Sequence, residues 1–308
     1  MLGYVFRRLL GAVPTLFLIV TISFFLVRVA PGGPFNLERP LAPEVMENLK
    51  RVFHLDEPLW RQYLFYLGNL IRGDLGPSFT YRDFTVQGLI LDGLPVSVQI
   101  GGGALLLALL GGLALGTAAA LRRNGWADHA VMATATFGIT VPTFVVGPLL
   151  SLVFGVLLGL LPAGGWGDGA FANKLLPIVT LALPQVAVIA RLIRSSLVEA
   201  LRSNHVRTAR AYGLPPHVVV VAHALRGALL PMVSYLGPAA AALLTGSVVV
   251  ETIFGIPGVG RYFVTGALNR DYTLVMGTVI LIAVFTVVFN LIVDLLYAAL
   301  DPRVRYEP

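Results

Sequence analysis

The 308-residue sequence contains no cysteine. That removes disulfide frameworks, thiol nucleophiles and thiolate metal sites from consideration at once. Charge is nearly as scarce, at 12% of residues against 56% hydrophobic, with a mean hydropathy of +0.82. Soluble domains carry about 25% charged residues, so this chain cannot clothe itself in a polar surface. The five histidines (His54, His129, His205, His217 and His223) form no HExxH pair, and no glycine loop ending in Gly-Lys-Ser/Thr occurs. A zincin-type centre and nucleotide binding through a phosphate loop are both excluded. No paired ionisable groups stand in mid-span and no inverted repeat is evident, which argues against a proton-linked secondary transporter.

What is present is a succession of long apolar runs, which makes the chain an all-α polytopic membrane protein. Six spans are expected at about 9–29, 95–121, 131–159 (broken by Pro142 and Pro148), 175–193, 228–250 and 273–298. Arg7 and Arg8 before the first run imitate a signal peptide, but the run is too long and no small-x-small site follows, so it reads as a retained span. Residues 31–93 form a near-neutral insert with eight acids and six bases. Within it a helix is expected over Pro43–Phe53 and another over Pro58–Ile71, the latter with Leu59, Tyr63, Tyr66, Leu67 and Leu70 at helical spacing. The net charge of +6 does not indicate nucleic acid, because the bases cluster in short loops beside apolar runs. Arg7, Arg8, Arg122, Arg123, Arg194, Arg202, Arg207, Arg210, Arg303 and Arg305 fall on one side; Lys174, Arg261 and Arg270 fall on the other. Ten against three predicts cytoplasmic N and C termini and an external insert. The domain plan is therefore span 1 (1–30), insert (31–93), a five-helix core (94–300) containing a cytoplasmic loop at 198–226, and a tail (301–308).

The segment Arg194–Pro231 is the most unusual stretch, a basic and punctuated loop between two apolar runs. Asn204 is placed to cap a helix over His205–Tyr212, Gly213 to close it, and Pro215–Pro216 to forbid its continuation. Small residues mixed with Arg207 and Arg210 suit a groove on a protein partner better than a lipid surface. Glu251 and Asp294 are the carboxylates nearest membrane depth, each expected to be hydrogen-bonded locally at a span boundary. Arg191 and Arg194 read as span-end side chains reaching for the interface. The Gly/Pro-punctuated loop at 254–260 is expected beside the pore, either as a re-entrant gate or as a simple turn.

Arg207-Thr208-Ala209-Arg210-Ala211-Tyr212-Gly213-Leu214, followed by His223-Ala224-Leu225-Arg226, resembles the EAA loop of ABC-importer permeases in its RTARAxG…HALR form. Thr21-Ile22-Ser23-Phe24-Phe25, Arg28-Val29-Ala30-Pro31-Gly32, Gly73-Asp74-Leu75-Gly76-Pro77-Ser78-Phe79, Gly255-Ile256-Pro257-Gly258-Val259-Gly260 and Leu268-Asn269-Arg270-Asp271-Tyr272 extend the likeness along nearly the whole chain. The subfamily it is most similar to is the dipeptide/oligopeptide one, and within it the B-type oligopeptide permeases. Arg207 stands where the general pattern has Glu, Thr208 where it has Ala, and Tyr212 where this subfamily often has Lys. The resemblance implies a type I importer permease fold and half of a peptide-translocating pore. It implies as partners a second permease subunit, two cytoplasmic ATPases, an external peptide-binding protein and membrane lipid, with no nucleic acid. It implies no cofactor in this chain, ATP and Mg being held by the ATPases, and no catalytic or metal site. Dipeptides, nickel or another small solute are the alternative cargoes. Glu199, Arg202, Arg207, Thr208, Ala209, Arg210, Gly213 and Leu214 become the expected ATPase-coupling residues; Pro238, Glu251, Pro257 and Gly258 become pore or gate candidates.

Overall fold

A computed structural model describes residues 2–29, 47, 56–81 and 83–300. The expected helix over Pro43–Phe53, the turn after Val29 and the 301–308 tail lie outside the described residues. The described residues are helical apart from turns and one isolated bridge, Pro77 to Thr85. In chain order the helices are α1 (Leu2–Val29), α2 (Leu59–Ile71), α3 (Val86–Leu121), α4 (Trp126–Thr140), α5 (Thr143–Leu150), α6 (Phe171–Ala200), α7 (Asn204–Ala211), α8 (Leu225–Phe254), α9 (Val259–Leu268) and α10 (Tyr272–Leu300). A π turn, Ser151–Leu157, extends α5, and Pro216–Val218 with a second π turn, Val219–Ala224, leads into α8. Five helices are long and apolar enough to cross a membrane, or up to seven spans if two broken pairs each count as one. One of those pairs is α4 with the run Thr143–Leu157, bent by 105° at Val141–Pro142, where Pro142 opens the second helix. The six spans read from the sequence fall inside this range.

Two readings of the boundaries change. The segment after Pro215 is not loop: Pro216 occupies the first helical position, where its missing N–H is harmless, and helix runs on to Phe254. Arg261 likewise belongs to α9, not to a loop, because Gly258 in extended conformation starts a new helix there.

The chain forms two compact units, residues 1–96 with 257–284 and residues 97–256 with 285–308, so that α3 and α10 each contribute to both. In the first unit, Val20, Phe24 and Met276 are buried with Tyr63, Tyr66, Leu67 and Leu70 of α2 packed against them. Leu59, expected on that face, is exposed. Asp271 caps α10: its Oδ1 accepts the Leu274 N–H at 3.0 Å, and its Oδ2 accepts Ser78 Oγ at 2.5 Å and the Thr80 N–H at 2.9 Å. One carboxylate thereby fastens the 74–81 turn to a helix start.

In the second unit α3 lies very close to α6. A Cβ on Gly112 would stand 2.6 Å from Ile189 Cβ, and one on Gly116 would stand 2.5 Å from the Ala190 carbonyl. Small residues at these two positions are what lets the backbones approach, as helix packing without a hydrophobic drive requires. Helices α4 and α8 also pack along α6, which makes α6 the central element of this unit.

Candidate coupling site

The eight residues of α7 carry a short apolar stripe, Val206 and Ala209, one turn apart. Both are buried, Val206 completely, in a cluster with Ala120, Leu197, Val219, Ala224 and Ala228. The helix is thus seated on the ends of α3 and α6 and on the start of the helix that becomes α8. Everything else on it faces outward: Arg207, Thr208, Arg210 and Ala211 are exposed, as are Glu199 and Arg202 in the approach to it. Tyr212 is 82% exposed and Leu214 38% exposed.

The end of α7 is fixed by backbone hydrogen bonds, its start by side-chain contacts. At its start the cap position is Ser203, not Asn204. Asn204 already has helical geometry, and Ser203 Oγ turns back to donate to the Ala200 carbonyl at 2.6 Å without capping α7. His205 Nε2 lies 3.3 Å from the His223 carbonyl and ties the helix to the π turn. At its end Gly213 adopts φ +74°, its N–H donates to the Arg210 carbonyl at 2.9 Å, and the Leu214 N–H reaches the Ala209 carbonyl at 3.4 Å. That pair of bonds is a Schellman closure, which needs a left-handed residue at the position Gly213 holds.

Of the eight residues expected to couple to an ATPase, seven are exposed, on α7 or on the chain just before and after it. The exception is Ala209, whose methyl group faces inward; it seats the helix and is not free to touch a partner. Val206 shares that role, and its three-residue spacing from Ala209 is the sequence signal for it.

Arg194 does not reach for the interface. Its Nε donates to Asp128 Oδ1 and its Nη2 to Asp128 Oδ2, both at 2.7 Å. Asp128 is only 1% exposed and also accepts the Asn124 N–H at 2.9 Å, as a carboxylate in the first turn of α4 can. Arg191 Nη2 stands 3.3 Å from Thr136 Oγ1. The sequence offers a lone acid after the basic loop 122–123 as the only hint of the Asp128 pairing.

The four pore or gate candidates do not share one environment. Glu251 is fully buried and its Oε1 accepts Ser97 Oγ at 2.6 Å, so it is hydrogen-bonded as expected, but to a partner on α3 far away in sequence and not to a local one. Ser97 also lines a cavity of about 90 Å3 with Gly101, Gly102, Ser247, Phe285 and Phe289. Pro238 is exposed within α8. Gly258 is buried where a Cβ on Gly93 would come within 3.0 Å of its carbonyl carbon, and Pro257 beside it is half-buried. The close approach accounts for glycine at position 93, where a side chain would meet the 258–259 backbone. Among the described residues no group of three or more His, Asp or Glu is placed to hold a metal.

Residues 112–306 match the family described as "Binding-protein-dependent transport system inner membrane component", and residues 1–100 match its N-terminal region family. The chain is 50% identical over 306 residues to the oligopeptide transport system permease protein OppB of Haemophilus influenzae, covering 99% of this chain and 100% of that one. The OppB of Escherichia coli K12 stands at the same identity and coverage. The dipeptide transport system permease protein DppB of Bacillus subtilis is 44% identical over 305 residues, 99% of this chain and 98% of its own. In fold, a crystal structure of an amino acid ABC transporter superposes with a TM-score of 0.53 at 17% identity, over 68% of this chain and 94% of the other. With nearly every residue covered and the buried-stripe helix in place, this chain belongs to the binding-protein-dependent transport system inner membrane components, and is a multi-pass membrane protein.

Proposed function

We propose that the chain is a permease subunit of an ATP-driven, binding-protein-dependent importer of oligopeptides, forming half of the pore and receiving mechanical work through α7. The observation that carries this reading is the construction of α7: two inward residues seat it, its C-terminus is locked by Gly213, and Arg202, Arg207, Thr208, Arg210 and Leu214 are left facing out. A rigid cationic projection on a chain without a phosphate-binding loop is suited to take up motion from another subunit. The identity of about half to permeases named for oligopeptide transport supports the cargo class over dipeptides, nickel or another small solute. In this reading the chain itself is not catalytic. ATP and Mg are bound by two cytoplasmic ATPase subunits, a second permease completes the pore, and an external binding protein docks on the 31–93 insert and delivers peptide. The ten-to-three distribution of basic residues supports cytoplasmic N and C termini and, with them, an intracellular position for α7.

The test is reconstitution of the chain with its partner subunits in proteoliposomes. ATP-dependent uptake of labelled tri- to pentapeptides that requires the binding protein is the expected result. Uptake of dipeptides or nickel in their place would reassign the cargo, and failure of any ATPase subunit to co-purify would overturn the docking role of α7.

A further inference from the structure

We infer that the Asp128–Arg194 pair is a force-transmitting strut, carrying displacement of α7 sideways from α6 into α4. The inference rests on the docking role proposed for α7 and adds the route by which movement leaves it. By chain connectivity α7 communicates with two helices only: α6 through residues 201–203, and α8 through the turn at Gly213 and the π turn after it. Helix α4 has no such covalent link to α7. It meets α6 at two kinds of contact. At Gly138 a Cβ would lie 3.3 Å from Ala187 Cβ and 3.4 Å from the Leu183 carbonyl, a close but undirected contact past which helices can slide. At Asp128 the contact is directional. Both carboxylate oxygens are taken by one guanidinium in a two-pronged arrangement, the Asn124 N–H holds the same carboxylate, and the burial of Asp128 limits water as a substitute for Arg194 there, although the guanidinium itself is partly exposed.

Position matters as much as strength. Arg194 stands six residues before the end of α6, about 9 Å along the axis from the link into α7, so it moves with the seat of α7 almost as one body. Asp128 is in the first turn of α4, and α4 leads to the 105° bend at Val141–Pro142 and on into α5. A push on α7 therefore reaches the bent pair at its far end through a bond that cannot slip. The longer contact from Arg191 to Thr136, on an exposed surface, cannot replace it.

The experiment compares the intact transporter with D128N, R194Q, the D128N/R194Q pair and the exchanged pair D128R/R194D in proteoliposomes. The double-neutral variant matters because it leaves no unpaired buried charge and so keeps the fold within reach. Three quantities are read: ATPase subunits retained on co-purification, ATP hydrolysed, and peptide imported per ATP. The strut predicts that D128N/R194Q retains its ATPases and goes on hydrolysing ATP while peptide per ATP falls by about tenfold. The exchanged pair should recover part of the loss. A double-neutral variant with intact assembly and unchanged peptide per ATP would overturn the strut alone. Uptake that falls only in proportion to the fraction of folded complex would also overturn it, making the pair merely structural. Loss of ATPases already from the unsubstituted complex would instead overturn the docking role of α7.

Discussion

Replacing Gly213 by valine tests whether the angle at the end of α7 matters to coupling. At φ +74° a Cβ at this position would meet nothing within 4 Å, so any cost comes from the backbone and not from collision. For a β-branched residue the left-handed region is a true outlier, and holding it there costs about 1–3 kcal/mol. What resists opening of the turn is the pair of bonds from the Gly213 and Leu214 N–H groups, about 1 kcal/mol each. A β-branched residue falls in the upper half of that range, about 2–3 kcal/mol, which matches or exceeds a restraint of about 2 kcal/mol, and the turn opens in a large share of molecules. For alanine the strain is about 1–2 kcal/mol, which the restraint largely offsets. Asparagine accepts the left-handed region with little penalty. The expected order of peptide imported per ATP in proteoliposomes is glycine and asparagine first, alanine slightly below, and valine lower by about tenfold, with ATP hydrolysis continuing in all four. Equal coupling across the series would refute the claim that the turn geometry transmits anything. So would a decline that followed side-chain size with asparagine among the losers.

Val206→Ala removes two methyl groups from the seat of α7, which should loosen it by about 2 kcal/mol and show as ATPase subunits lost on washing, with membrane insertion unchanged. Gly116→Ala forces a methyl group against the Ala190 carbonyl and should destabilise the α3–α6 contact by about 1–3 kcal/mol, read as a lower thermal midpoint in detergent. Asp271→Asn sets an amide donor among the N–H and O–H donors it now accepts, at a cost of about 1–3 kcal/mol, and should expose the 74–81 turn to protease. Replacing Arg207 and Arg210 together by alanine should weaken ATPase retention and flatten its dependence on salt, because fewer charges remain to be screened.

The long apolar helices and the place of α7 were legible because each announces itself locally, in a run of apolar residues or in a glycine followed by proline. Three features were not. Helix α9 was hidden by Gly255, Pro257 and Gly258, residues that read as loop and in fact end one helix and start the next. The start of the helix at Pro216 was hidden by a proline whose ring forbids helix before it and favours helix after it. The Asp128–Arg194 pair was hidden for a deeper reason. Its members are 66 residues apart, and each has an adequate local account, one as the acid of a helix's first turn and the other as a basic residue at a span's end. Reading Arg194 as an outward charge counted it toward membrane orientation, whereas the folded chain spends that charge on a buried carboxylate. The orientation argument survives, since nine basic residues still stand against three. What changes is the meaning of the residue. Two neighbouring arginines, Arg191 and Arg194, lie on one helix in the same apolar context, yet only Arg194 meets a buried acid, and that difference is set by where α4 packs.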